Sequence, residues 1–130
     1  MTDIPRAAVR FDIVALDTDD PPRLADFYCA LLGWRVQKVE ADWITIVGPD
    51  ESGEAGAPRM AFQLAPDHRP PTWPDDEVPQ QLHLDLAVDD LPAASAFAES
   101  LGARRVTGAE VQPGFVVFLD PSGHPFCLCD

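Results

Sequence analysis

Apolar and polar positions along this chain follow two periods, and the order in which those periods change occurs twice. Phe11–Asp20 (FDIVALDTDD) and Gln81–Asp90 (QLHLDLAVDD) alternate with the period of two expected of a half-buried strand, and both end in paired aspartates. Each then passes into a stretch of helical period. Leu24, Phe27, Tyr28, Leu31 and Leu32 form one apolar stripe, and Leu91, Ala94, Phe97, Ala98 and Leu101 form its counterpart. Asp20 and Asp90 stand at the N-cap position, with Pro21, Pro22 and Pro92 acceptable in a first turn. Gly33 and Gly102 close the helices in the usual C-terminal manner.

The repeat continues beyond the helices. Short strands are expected near Arg35–Val39 and Arg104–Thr107, then at Trp43–Val47 and Phe115–Leu119. Gly48-Pro49-Asp50 and Asp120-Pro121-Ser122 are turn sequences, and last strands follow at Met60–Leu64 and Pro125–Cys129. The order is therefore βαβββ twice, with an insertion at Glu51–Pro58 in the first copy only. The fold class expected is α+β: two tandem modules forming a curved mixed β-sheet around a cavity, with the helices outside. One domain spans residues 1–130, with module one at about 8–65, a linker at about 66–80 and module two at about 81–130. Five prolines in Ala65–Gln80 exclude helix or central strand from the linker. Trp73 within it either anchors the linker or covers a cavity mouth.

Strand parity assigns faces. Leu82, Leu84, Leu86 and Val88 are expected to meet the helices, leaving Gln81, His83, Asp85 and Ala87 on the other face. Val14 and Leu16 pack inward, with Phe11, Ile13, Ala15 and Asp17 opposite. Met60, Phe62 and Leu64 are expected to be buried, with Ala61, Gln63 and Ala65 opposite. Phe126 and Leu128 are buried, with Pro125, Cys127 and Cys129 opposite. These second faces are small and mixed in character, as the lining of a ligand cavity is. Trp43 and Phe115 occupy equivalent places in the two copies and are candidates either for that lining or for the core.

Composition narrows the functions available. The chain has 130 residues, 46% of them apolar, enough for one folded core. Its nine basic and twenty-two acidic residues give a net charge of −13, which argues against nucleic acid and membrane surfaces as partners. No apolar run approaches the ~18 residues of a membrane span, and the N-terminus lacks a secretory pattern, so a cytoplasmic location is expected. The three cysteines, Cys29, Cys127 and Cys129, form no disulfide framework and no zinc-knuckle spacing; buried reduced thiols are expected. His83 and Asp85 lie two apart on one strand, a plausible general acid/base pair, or simply polar lining. His124 in its turn and His68 in the linker are expected to face solvent.

Several motifs together carry a resemblance over nearly the whole chain. They are the first strand ending in Asp20, Phe27-Tyr28 followed by Leu31-Leu32-Gly33, the run His83-Leu84-Asp85-Leu86-Ala87-Val88-Asp89-Asp90, Leu101-Gly102-Ala103, and Asp120-Pro121-Ser122-Gly123-His124-Pro125-Phe126. The chain resembles the vicinal oxygen chelate superfamily, in particular small glyoxalase-like proteins of the glyoxalase / bleomycin-resistance / extradiol-dioxygenase group. In metal-dependent members, one position on each of the first, fourth, fifth and eighth strands supplies a ligand. Those positions here are Ile13, Gln63, His83 and Cys127, of which only His83 is a conventional match. The resemblance thus implies a cavity for a small-molecule ligand lined by Ile13, Gln63, His83, Cys127, Trp43 and Phe115, without a catalytic metal. The alternatives are a divalent metal at His83, Gln63 and Cys127, or an enzyme of lyase, isomerase or dioxygenase type with His83 and Asp85 as catalytic residues. The resemblance also implies a homodimer.

Overall fold

Both helices start where an aspartate caps them. In the computed structural model, which describes residues 4–8, 10–50, 56–72, 77–106 and 114–130, α1 (Pro21–Leu32) follows Asp20 and α2 (Leu91–Ser100) follows Asp90. The Asp20 carboxylate accepts from the Arg23 N–H and the Asp90 carboxylate from the Ala93 N–H, satisfying donors that a first turn leaves free. Gly33 ends α1 at φ 71°, a left-handed conformation suited to glycine. Trp73, part of the Glu51–Pro58 insertion and Thr107 lie outside the described residues.

The strands are β1 (Val14–Thr18), β2 (Arg35–Glu40), β3 (Trp43–Val47), β4 (Arg59–Leu64), β5 (Leu84–Ala87), β6 (Arg104–Arg105), β7 (Phe115–Leu119) and β8 (Pro125–Cys129). They form two four-stranded mixed sheets of identical order, β1-β4-β3-β2 and β5-β8-β7-β6. In each, the first strand of the module runs parallel to the last, and the other pairs are antiparallel. This is the tandem βαβββ arrangement, with the curved surface divided between the modules. β1 and β5 start later than the alternating pattern suggests. The first pairs of the parallel ladders are Val14 with Met60 and Leu84 with Phe126. On β8 the next residue back is Pro125, which has no N–H to offer.

One core serves both modules. Leu16, Leu24, Phe27, Tyr28, Ile44, Ile46, Met60 and Phe62 from module one join Ala98, Phe118, Phe126 and Leu128 from module two. The Tyr28 ring stacks on Phe62 at 5.6 Å and meets Phe126 edge-on at 6.3 Å, while Phe27 lies 5.9 Å from Phe126. Each such side chain contributes on the order of 1.5–3 kcal/mol by leaving water. Three expected core residues lie elsewhere; Leu82, 38% exposed, precedes β5 and lines the space under the linker instead of meeting the helices. Phe97 is 48% exposed because the buried line of α2 runs through the small residues Ser95 and Ala98, leaving Phe97 at its edge. Leu64 is 38% exposed, at the end of β4.

A polar latch joins the modules beside this core. The buried Tyr28 hydroxyl donates to Asp120 Oδ2 at 2.6 Å, and the N–H groups of Ser122 and His124 donate to Oδ1 at 2.9 and 3.0 Å. Burial nonetheless raises the Asp120 carboxyl above its ordinary pKa, outweighing the Tyr28 hydrogen bond, nearby His124 and the backbone donors, all of which favour the anion. Burial, and then the Asp120 charge, push the Tyr28 hydroxyl well up. The Thr18 and Ser122 hydroxyls are 2.6 Å apart, and His124 Nε2 lies 2.6 Å from the Asp17 carbonyl. His68 Nε2 lies 3.0 Å from the Ser122 carbonyl, and its ring is 4.8 Å from that of His124. Both histidines are therefore half-buried rather than solvent-facing, because the linker crosses the β7–β8 turn. Gly123, at φ 89°, permits that crossing: a Cβ there would stand 2.3 Å from Pro70 Cβ.

The two buried hydroxyls of the helices have opposite fates. Tyr28 is satisfied, whereas Ser95 Oγ has no hydrogen-bond partner among the described residues. In urea denaturation, Tyr28→Phe is expected to destabilise the chain by about 1–3 kcal/mol by leaving Asp120 short of a donor. Ser95→Ala is expected to stabilise it by about 1 kcal/mol, removing an unsatisfied group and raising helix propensity.

Candidate functional site

The faces turned away from the helices follow from pairing register. In module one, Ala15 stands opposite Ala61 and Asp17 opposite Gln63, while Trp43 pairs with Gln63 and Thr45 with Ala61. The intervening Leu16, Ile44, Met60 and Phe62 are in the core, so Ala15, Asp17, Trp43, Thr45, Ala61 and Gln63 share the opposite face. Trp43 Nε1 donates to Thr45 Oγ1 at 2.9 Å, which orients the indole along the sheet. Trp43 thus stands with Gln63 and not with the core.

Two clefts border this face. One of about 920 Å³ lies at the end where β1 begins, with Arg10, Phe11, Asp12, Gln37, Val47 and Arg59 among its lining residues. There the Arg59 guanidinium donates to Gln37 Oε1 at 3.0 Å and pairs with Asp12. The other, of about 290 Å³, lies under the linker, where Ala15 and Asp17 meet His68, Gln81, Leu82 and His124. The sequence reading passed over Arg59 and its partners. The signal was present, because Arg59 shares strand parity with Ala61 and Gln63.

Module two repeats the arrangement with different chemistry. Asp85 pairs with Cys127 and Ala87 with Cys129 in the parallel β5–β8 ladder, and Phe115 stands opposite Cys129. Leu84, Leu86, Val116, Phe118, Phe126 and Leu128 pack in the core, which leaves Asp85, Phe115, Cys127 and Cys129 on the other face. His83 immediately precedes β5, and its Nε2 lies 3.3 Å from Asp85 Oδ1. Their side chains are 43% and 64% exposed, so the pair contributes little to stability. One donor atom from each of His83, Asp85 and Cys127 lies within 4.8 Å of the others. Burial first, then the Asp85 charge, Cys129 and a hydrogen bond with Asp85, push the Cys127 thiol up to about 11. Cys129 is shifted in the same direction, by burial and then by Asp85 and Asp130. All three thiols are free; Cys127 is buried, whereas Cys29 and Cys129 are only partly so.

The structure divides the four strand positions singled out in the sequence. Ile13, half-buried just before β1, and Gln63 on β4 belong to one sheet; His83 and Cys127 belong to the other. What gathers around His83 is Asp85 and Cys127.

Comparison with known proteins sets this geometry in context. The Glyoxalase-like domain family matches residues 13–129. No curated protein matches the chain. A glyoxalase/bleomycin resistance protein/dioxygenase family enzyme from Burkholderia phytofirmans shares its fold with TM-score 0.63 at 16% identity, over 89% of this chain and 94% of that one. TnmS3, an antibiotic binding protein from a Streptomyces species, does so with TM-score 0.59 at 18% identity, over 96% and 98%. The fosfomycin resistance protein FosX from Listeria monocytogenes, complexed with Mn(II) and sulfate, gives TM-score 0.68 at 13% identity, over 95% and 90%. At these identities the likeness is one of fold.

A metal held between the modules at the four strand positions does not fit the residues of this chain. Ile13 offers no donor atom, and Gln63 offers only a neutral amide. Among the described residues, no helix is long and apolar enough to cross a membrane. The repeated βαβββ modules, their matching sheet orders and the family match over nearly the whole length agree: this chain belongs to the Glyoxalase-like domain family.

Proposed function

We propose that this chain binds a small organic molecule against the open faces of its two modules, without a catalytic metal between them, and does so as a cytoplasmic homodimer. The observation that carries the reading is the module-one face. It holds an aromatic ring (Trp43), an amide (Gln63) and small residues (Ala15, Ala61); Ala15 lines a cleft of about 290 Å³, and Val47 and Arg59, farther along the same strands, line one of about 920 Å³. The larger volume and that mixture suit a ligand of drug size. Two proteins of the same fold, one an antibiotic binding protein and one a fosfomycin resistance protein, support the class of ligand. The net charge of −13 disfavours polyanionic partners. Among the described residues, the outer strands β1 and β5 each have one edge without a strand partner, which supports association of two copies.

A second reading, an enzyme of lyase, isomerase or dioxygenase-like type, is favoured by one contact. His83 Nε2 lies 3.3 Å from Asp85 Oδ1, so the carboxylate can orient the ring for proton transfer to or from a bound molecule. In this reading His83 and Asp85 are the catalytic residues and Phe115 and Cys127 line the same face.

A thermal-shift screen of small aromatic and antibiotic-like molecules, run with EDTA present, tests the first reading. Stabilising ligands are expected, and Ala15→Trp, placed on the exposed part of the module-one face, is expected to abolish their shifts while leaving the fold intact. Ligand shifts of equal size in Ala15→Trp would remove the face from consideration. If a ligand found in this way is turned over, His83→Ala is expected to lower kcat by about a hundredfold or more, the usual worth of a general acid/base. Turnover unchanged by that substitution would leave binding alone.

A further inference from the structure

The linker is held down at both ends of a short strap. It turns at Ala65–His68, where the His68 N–H donates to the Ala65 carbonyl at 2.9 Å. It closes again where the Thr72 N–H donates to the Val78 carbonyl at 2.7 Å and the Val78 N–H to Thr72 Oγ1 at 2.9 Å. Two contacts fix the strap to the β7–β8 turn. His68 Nε2 lies on the Ser122 carbonyl, which can only accept, and Pro70 is seated against Gly123. The cleft of about 290 Å³ beneath it is therefore shaped by the chain's own contacts, so little ordering is lost when a molecule enters.

The groups lining this cleft are incompletely matched among themselves. Asp17 from β1 and Arg69 from the linker both line it and both are exposed. Among the described residues neither side chain has a hydrogen-bond or ion-pair partner, and they do not pair with each other. Val78, Pro79 and Leu82 supply an apolar wall, with Leu82 left 38% exposed. A free carboxylate, a free guanidinium and an uncovered apolar wall are three demands that one molecule can meet. We propose that the cleft under the linker binds a small apolar α-amino acid, its carboxylate on Arg69, its ammonium on Asp17 and its side chain against Val78, Pro79 and Leu82.

Each pairing follows from the chemistry of the groups. A guanidinium offers a fork of N–H donors to a carboxylate, and the Asp17 carboxylate accepts from an ammonium. A zwitterion has no net charge, so it escapes the repulsion that a chain of net charge −13 exerts on a simple anion. Ligand pockets run from about 300 to 1,000 Å³, so this cleft is at the small end and suits a metabolite of roughly ten non-hydrogen atoms. This ligand class presupposes the reading of the module-one face as a ligand surface, since Ala15 belongs to both.

The test is isothermal titration of the full chain with leucine and phenylalanine, and with leucine's one-charge analogues isocaproate and isoamylamine. One leucine or phenylalanine per chain is expected to bind, with each analogue weaker than leucine by about tenfold or more, the worth of a charge-assisted hydrogen bond. Asp17→Asn is expected to weaken leucine by a similar factor and leave isocaproate unchanged; Arg69→Gln is expected to weaken leucine and leave isoamylamine unchanged. Asp17 holds His124 through its backbone carbonyl and Arg69 is exposed, so both variants keep the fold. Leucine affinity unchanged in either variant, or no better than that of its analogues, overturns the site. If aromatic or antibiotic-like molecules stabilise the chain, and lose their shifts in Ala15→Trp, while no amino acid binds, the amino-acid site alone falls. If no molecule of either kind binds, the proposed binding function falls with it.

Discussion

The buried hydrogen bond from Tyr28 to Asp120 is the constraint on which the arrangement of the two modules depends. A carboxyl this buried is tolerated only where its oxygens are occupied, and here a helix of module one and the β7–β8 turn of module two supply the three donors together. Removing either module would leave Asp120 or Tyr28 unpaired inside an apolar cluster. The rings of Phe27, Phe62 and Phe126 pack around the bond and keep water from it. Hydrophobic burial supplies most of the energy, but it is non-directional. The hydrogen bond, with the Thr18–Ser122 and Asp17–His124 contacts beside it, supplies the directionality that sets one orientation between the modules.

Spending one face of every strand on this shared core dictates what the other face can be. Alternation leaves Asp17, Gln63 and Trp43 in one sheet, and Asp85, Cys127 and Phe115 in the other, on the face opposite the core. The two open faces have diverged although the backbones repeat. Module one carries an amide, an indole and a cleft braced by Arg59; module two carries a histidine, a carboxylate and two thiols. The repeated fold accordingly presents two chemically distinct surfaces, the first suited to apolar and hydrogen-bonding groups, the second to a proton.

Much of this was legible in the sequence, because alternation and capping act locally. The repeat, the N-caps Asp20 and Asp90, and the strands Trp43–Val47, Phe115–Leu119 and Pro125–Cys129 are in the structure as their residues suggest. Parity also assigned Val14, Leu16, Leu84 and Leu86 to the core side correctly. The rest depended on contacts distant in sequence. Tyr28 and Asp120 are 92 residues apart, so nothing local marked the turn aspartate as a buried acceptor. His68 and His124 looked like loop residues, and only the crossing of the linker over Gly123 half-buries them. Phe97 satisfied the helical period yet lies at the margin of the contact, since periodicity fixes a face only to within one residue's rotation. The grouping of Asp85 with His83 and Cys127 required the β5–β8 register, which no single strand contains. Strand position alone makes Ile13, Gln63, Trp43, Phe115 and Cys127 expected ligand contacts, but it does not specify how the two modules that carry them face each other.

The latch and the open face of module one meet on a single strand. Thr18 and the carbonyl of Asp17 hold Ser122 and His124, while Ala15 and the Asp17 side chain, on the same five-residue strand, look onto the face that pairs with Ala61 and Gln63. A strand so short has little room to bend between its two duties. Any change in how module two seats on module one must therefore shift β1, and with it the cleft under the linker that Asp17 and His124 both line. Packing between modules and the shape of a ligand site are in this way one mechanical unit. The Tyr28–Asp120 bond, though it touches no ligand, acts on the site through the position of β1.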